Sequence, residues 1–406
     1  MAQASDLPAG SEEALSRQPI VLRYDEQKAP GAFTETYGFS GTSGQVTLEG
    51  QLMTSVDSLN SSPRDTVYLF MHPSSTLHLL PMPVALAQSG RHVLCAASRY
   101  PKNDSALIME KVVCDMGAWV RWAHDVAGYQ QVVLVGWSGG GSLSLFYQAQ
   151  AEEPTVSHTP AGDPVDLVRA SLRPADGLIF IAAHLSRAET LTEWLDPSVI
   201  DESNPDNRDL EFDIYSPECP RQPPFSEAFV ARFRELQLDR NRRITHWCQN
   251  LLEDLKQRAG AERERAFVVH RTMCDPRWID SSLDPNGRRE DWCYLGDPRA
   301  VNGGPAGLAR YSTLRSWLSQ WSFDLSNAKG PPNAARIKRT PVIQIVNGAD
   351  DAVPATHNPA IRSALASPDA EYVEIEGATH YYQNQPAQMQ TCLAAIDDWS
   401  RRHGFA

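Results

Sequence analysis

Gly136-Trp137-Ser138-Gly139-Gly140 sets a serine among glycines, directly after the apolar run Val132-Val133-Leu134-Val135 and before a segment of helical character, 142–150. A G-x-S-x-G pattern at a strand-to-helix turn holds its serine in a strained backbone conformation, with the hydroxyl lifted clear of the strand. Side chains at 136 or 140 would collide with the adjacent strand and helix, so glycine is what fits. Alone, the pentapeptide is a weak signal, because Gly-rich loops hold a serine by chance; its place between a buried strand and a helix strengthens it. The chemistry on offer is nucleophilic attack. A serine hydroxyl is a poor nucleophile near neutral pH, so it needs a base within hydrogen-bond reach and a third group to orient that base.

His380 is the candidate base, in Gly377-Ala378-Thr379-His380 after the strand-like run 371–376. An arbitrary histidine is more often a surface residue, but this one stands between a strand and the closing helix, where a site would need it. The candidate acids are Asp350 and Asp351, in Gly348-Ala349-Asp350-Asp351-Ala352-Val353-Pro354. Counting on from Gly348 selects Asp351, and counting back from Pro354 selects Asp350. Strand register fixes the start of a loop more firmly than its end, so Asp351 is preferred and Asp350 is the alternative. The unused aspartate is expected to cap the turn or the next helix.

An acyl-transfer oxyanion needs two preorganised backbone N–H donors. Gly139, after the nucleophile, is one. The other is expected from His72-Pro73-Ser74-Ser75, which follows the apolar run 66–71. Pro73 has no N–H, which leaves Ser74, with Ser75 as the alternative. His72 is read as a brace for this loop and, with Trp137, as part of the substrate-binding wall rather than as a base.

The elements that position these residues follow from hydrophobic patterning. Residues 1–18 are polar and expected to be loose. Alternation over 20–24 and 39–53, with turn signals at 41–44 and 60–63, predicts an antiparallel start to a sheet. Apolar runs at 66–71, 92–97, 132–135 and 177–183 predict buried strands, with helices over 79–89, 105–127 and 142–150 between them. Asp104-Ser105 is the expected cap of the second helix. This alternation means a mainly parallel α/β sheet. From 185 to 339 the rhythm stops: Pro-rich turns, a helix over 226–263 and six of the ten tryptophans occupy this stretch. Strands return at 341–348 and 371–376, and a helix over 386–402 closes the chain. The expected organisation is therefore a core of 1–184 and 340–406 with a mainly helical cap, 185–339, inserted into it. An independent domain whose tryptophans form its own core is the competing reading.

Composition narrows the function classes. With 406 residues, 42% of them hydrophobic and 21% charged, the chain is of ordinary globular type. A formal charge of −13 argues against nucleic acid and anionic membrane surfaces as partners. No basic-then-apolar leader opens the sequence and no apolar run approaches membrane-spanning length. Seven cysteines without a C-x-x-C pair read as scattered reduced thiols of a cytoplasmic protein, although the stretch holding Cys219, Cys248, Cys274 and Cys293 is where a bridge would form. No metal constellation or phosphate loop is present, so no cofactor is expected; the expected partner is a small apolar substrate, and the oligomeric state is not encoded in any pattern.

The four motifs together resemble the α/β-hydrolase superfamily: 136–140, the oxyanion loop 72–75, the acid loop 348–354 and the base loop 377–380, in the chain order Ser, Asp, His. The resemblance covers roughly residues 20–184 and 340–403. It implies an α/β-hydrolase fold and a serine hydrolase with the triad Ser138, Asp351 (or Asp350) and His380, acting on a carboxylic ester, thioester or lactone. The chain departs from the usual pattern in its His-Pro oxyanion loop, its acid loop one residue short, and its large cap. A C–C or ring-opening hydrolase for an aromatic or steroid-like compound is the alternative, with the tryptophans shaping its pocket; a non-catalytic ligand receptor on the same scaffold is the third reading.

Overall fold

The computed structural model describes residues 15–26, 44–56, 65–258, 260 and 262–405. Alternating residues build the antiparallel pair β1 (Leu15–Asp25) and β2 (Gln45–Ser55), with Ile20 opposite Gly50. Apolar runs buried on both faces then form β3 (Thr66–Met71), β4 (His92–Ala96), β5 (Gln131–Trp137) and β6 (Gly177–Ile181). The segment after β6 holds two short paired strands, β7 (Ala266–Val268) and β8 (Tyr311–Thr313). The main sheet resumes with β9 (Val342–Asn347) and β10 (Ala370–Ile375). Its order is β1-β2-β4-β3-β5-β6-β9-β10, and every pair from β4 to β10 is parallel.

Helices cover both faces. On one side, α2 (Met109–Asp125) and α3 (Gly139–Glu152) bury Trp119, Phe146 and Tyr147 against Val132 and Leu134. On the other, α1 (Pro81–Gln88) and the C-terminal helix Pro386–Arg402 bury Leu86, Ile396 and Trp399 against Val133 and Val135. Each such side chain, fully removed from water, contributes about 1.5–3 kcal/mol. The two cores fix the central strands, and with them the loops at their carboxyl ends, where open α/β sheets place their sites.

The segment between β6 and β9 carries α4 (Arg187–Trp194) and α5 (Glu227–Gln257). It has a core of its own, in which Ile244, Cys248, Leu252, Trp317 and Trp321 pack together. Trp194 and Trp278 pair at 5.0 Å in a second cluster. These four tryptophans serve as core. All seven cysteines are free. Among the described residues no helix is long and apolar enough to cross a membrane.

Several boundaries differ from expectation. Leu15–Gln18, expected to be loose, pair with β2; residues 1–14 and nearly all of the turn signals at 41–44 and 60–63 lie outside the described residues. Strand β6 stops at Ile181 because Ala182 adopts a φ of 49°. Helix α2 starts at Met109, and Asp104 does not cap it. Asp104 instead pairs with the buried guanidinium of Arg187. An N-cap is worth about 1 kcal/mol, whereas a buried cation stripped of its partner costs about 3–5 kcal/mol, so the ion pair prevails.

Candidate active site

Ser138 sits between β5 and α3 with φ 54° and ψ −123°, a conformation that L-residues avoid. Its N–H donates to the Ile181 carbonyl at 3.1 Å, which ties the turn to the neighbouring strand. The glycines around it are sterically required. A Cβ at Gly136 would lie 2.7 Å from the Gly140 carbonyl oxygen; one at Gly140 would overlap the Met71 carbonyl, and one at Gly141 the Ala183 side chain. Strand and helix thus cross with backbone nearly touching backbone, and the serine alone projects from the turn.

His380 lies at the end of the neighbouring base loop, 2% exposed. Its Nδ1 faces both carboxylate oxygens of Asp350 at 3.0 Å. An ionised carboxylate there fixes the proton on Nδ1 and leaves Nε2 as the basic nitrogen. The ring is held further by Trp137, whose indole is 4.6 Å away and whose Nε1–H donates to the His380 carbonyl at 3.1 Å. Tyr381 and Tyr294 approach the ring at 5.1 and 6.3 Å.

The partner of His380 is therefore Asp350, not the preferred Asp351. Cross-loop pairing explains the error. After Gly348 donates to Ile375, Ala349 still donates to Ala378 at 2.9 Å, so the acid loop leaves its neighbour later than a count from Gly348 assumes. Asp350 also closes the turn that the unused aspartate was expected to cap, because its Oδ1 accepts the N–H groups of Ala352 and Val353 at 2.8 and 2.7 Å. The Asp351 carbonyl accepts the Tyr294 N–H of the inserted segment at 3.2 Å, and its carboxylate Oδ1 is buried without a partner. Burial, and then the Asp350 charge, raise the Asp351 carboxyl above its ordinary range.

The oxyanion loop also departs from expectation. Gly139 is the first residue of α3, where N–H groups have no acceptor within the helix and the helix dipole favours negative charge. The N–H groups of Ser74 and Ser75, however, both donate to His72 Nδ1, at 3.2 and 2.9 Å. Both expected second donors are turned inward onto the imidazole. His72 braces its loop as expected, and its Nε2 edge comes up against Gly139, 2.6 Å from where a Cβ would stand. His184 Nε2 approaches the same point at 3.4 Å. Burial, reinforced by Arg187 and His380, holds the His72 imidazole down to about 3. Burial and then His357 push His184 well below its usual value. Both rings are neutral at ordinary pH.

The inserted segment reaches the site through Arg187, Asn286 and Tyr294. Arg187, at the start of α4, pairs with Asp104, donates to Gln320 at 2.9 Å and stacks 4.3 Å over Trp321. Asn286 donates to the Asp350 carbonyl at 2.8 Å, so the same segment holds both aspartates of the acid loop by their backbone. Beside His380 a narrow apolar pocket opens between Phe70, Leu77, Met82, Trp137 and Tyr381, with room for little more than a water molecule. Among the described residues no group of His, Cys, Asp and Glu is arranged to hold a metal ion.

His184, Arg187 and Tyr294 went unnoticed in the sequence. Only His184 carried a readable signal: it stands just after β6, the same strand-end placement that singled out His380. Arg187 and Tyr294 belong to a segment without periodicity, and their proximity to the site arises only from packing.

No protein-family model and no curated protein matches the sequence. Solved structures do. The alpha/beta hydrolase GrgF from Penicillium sp. sh18 matches over 96% of this chain and 99% of its own, with a TM-score of 0.50 and 11% identity. DcsB, solved in complex with its substrate analogue, matches over 96% and 99% at a TM-score of 0.48 and 12% identity. Est1E from Butyrivibrio proteoclasticus matches over 88% and 95% at a TM-score of 0.45 and 12% identity.

Proposed function

We propose that this chain, whose fold is that of the α/β-hydrolases, is a serine hydrolase that cleaves a carboxylic ester, thioester or lactone through an acyl-Ser138 intermediate. The observation that carries this reading is the bond from His380 to both oxygens of Asp350, with the strained Ser138 directly after Trp137, whose ring packs on His380. His380 takes the Ser138 proton as the hydroxyl oxygen attacks the carbonyl carbon, and returns that proton to the leaving group. Water deprotonated by His380 then releases the acid. Asp350 stays ionised throughout and stabilises the imidazolium. Residues 185–339 act as a cap that holds the acid loop in register.

The acyl group we assign is small. Substrate pockets for drug-sized ligands span about 300–1,000 Å³, whereas the pocket beside His380 encloses room for little more than a water molecule. Across a p-nitrophenyl ester series, kcat/KM is expected to be highest for acetate to butyrate and to fall at least tenfold by dodecanoate. A flat profile, or one rising toward long chains, would contradict this assignment; no turnover of any ester would contradict the hydrolase reading.

A further inference from the structure

We infer that the side chain of His72, through its Nε2–H, is the second oxyanion donor of this site, standing where a backbone N–H of the oxyanion loop was expected. The inference rests on the serine-hydrolase reading. Three observations carry it. Pro73 has no N–H, and the next two N–H groups of the loop, on Ser74 and Ser75, are both spent on His72 Nδ1. A ring nitrogen that accepts two hydrogen bonds carries no proton, so the proton of the neutral imidazole is on Nε2. That nitrogen lies 2.6 Å from where a Cβ on Gly139 would stand, so the ring edge faces Gly139, which supplies the other donor. The loop has thus exchanged backbone donors for one imidazole donor, and the two serines lock its tautomer.

The step is the first half of acyl transfer. The Ser138 Oγ–carbon bond forms, the Oγ proton passes to His380 Nε2, and the carbonyl π pair moves onto oxygen. That oxygen accepts hydrogen bonds from Gly139 N–H and His72 Nε2–H. Collapse restores the carbonyl, breaks the bond to the leaving group and hands it the proton from His380. His72 donates a hydrogen bond throughout and takes up no second proton, because burial holds its imidazole down to about 3.

Two substitutions separate donation from bracing. The amide oxygen of H72N reaches the Nδ1 position and still accepts from Ser74 and Ser75, but nothing replaces Nε2. The amide nitrogen of H72Q reaches the Nε2 position and can donate, but the brace is lost. Donation predicts that H72N loses about 10²-fold in kcat with KM nearly unchanged, the usual cost of removing one oxyanion donor, while H72Q loses about tenfold or less. The reverse ranking, or equal rates, would overturn the role of His72 and leave the hydrolase reading intact. Absence of wild-type turnover would overturn the reading beneath it. A third readout needs no variant: in wild-type protein, an aryl trifluoromethyl ketone adduct on Ser138 should shift the His72 Nε2–H proton resonance downfield. An unshifted resonance in the formed adduct would equally overturn the assignment.

Discussion

Replacing Asp350 with asparagine is expected to lower kcat by about 10⁴-fold, whereas Asp351→Asn is expected to remain within about tenfold of wild type. The first figure is the scale on which a triad fails when its acid becomes an amide, because the histidine is then held in the wrong tautomer. Asp350 faces His380 Nδ1 with both oxygens at 3.0 Å. An amide there either presents an NH₂ to a nitrogen that must itself donate, or flips and loses one of the two contacts. Asp351 has no bond to the ring, and its Oδ1 is partnerless. Neutralising it removes a repulsive neighbour of Asp350 together with a smaller attraction to His380. Initial rates of p-nitrophenyl acetate hydrolysis for the two variants, with melting curves to confirm folding, make the comparison. A larger loss at 351 than at 350 would reassign the acid.

Ser138→Ala is expected to abolish acyl transfer, with a loss of about 10⁶-fold in kcat, as when a triad nucleophile is removed and only binding and the oxyanion site remain. The fold should tolerate the change. Alanine is smaller than serine, and the strained φ of 54° is imposed by the glycine contacts of the turn rather than by the hydroxyl. Relief of nothing and loss of one hydroxyl predict a melting temperature within a few degrees of wild type. The measurement is single-turnover hydrolysis at enzyme concentrations high enough to detect the residual rate. Retention of more than about 1% of kcat would mean that another group, or His380 acting on water directly, carries the reaction.

Much of this site could be read from local pattern. The serine turn announces itself through its glycines, whose small size the crossing of β5 and α3 demands. The strand 66–71 was bounded to the residue because a continuous apolar run between turn residues leaves no other solution. Ser138 and His380 were placed by the same logic, each at the carboxyl end of a parallel strand. What failed depended on distances that a sequence does not carry. The choice between Asp350 and Asp351 turned on one cross-loop hydrogen bond, from Ala349 to Ala378. The oxyanion donors depended on a side chain: the His72 ring captures the N–H groups of Ser74 and Ser75, and no propensity encodes that orientation. Asp104 was read as a cap because its neighbours are helical, while its partner Arg187 lies 83 positions away. The three-residue strands β7 and β8 are too short to show a period.

The central claim is that Ser138 carries an activated hydroxyl. A fluorophosphonate probe tests it most directly, since such reagents phosphonylate a serine whose hydroxyl is deprotonated by a neighbouring base. Intact-mass spectra of the wild-type protein should show a single adduct, mapped by peptide sequencing to 136–140, and Ser138→Ala and Asp350→Asn should label not at all and far more slowly, respectively. A wild-type protein that stays unmodified at Ser138 under conditions that label a control serine esterase to completion would contradict the account.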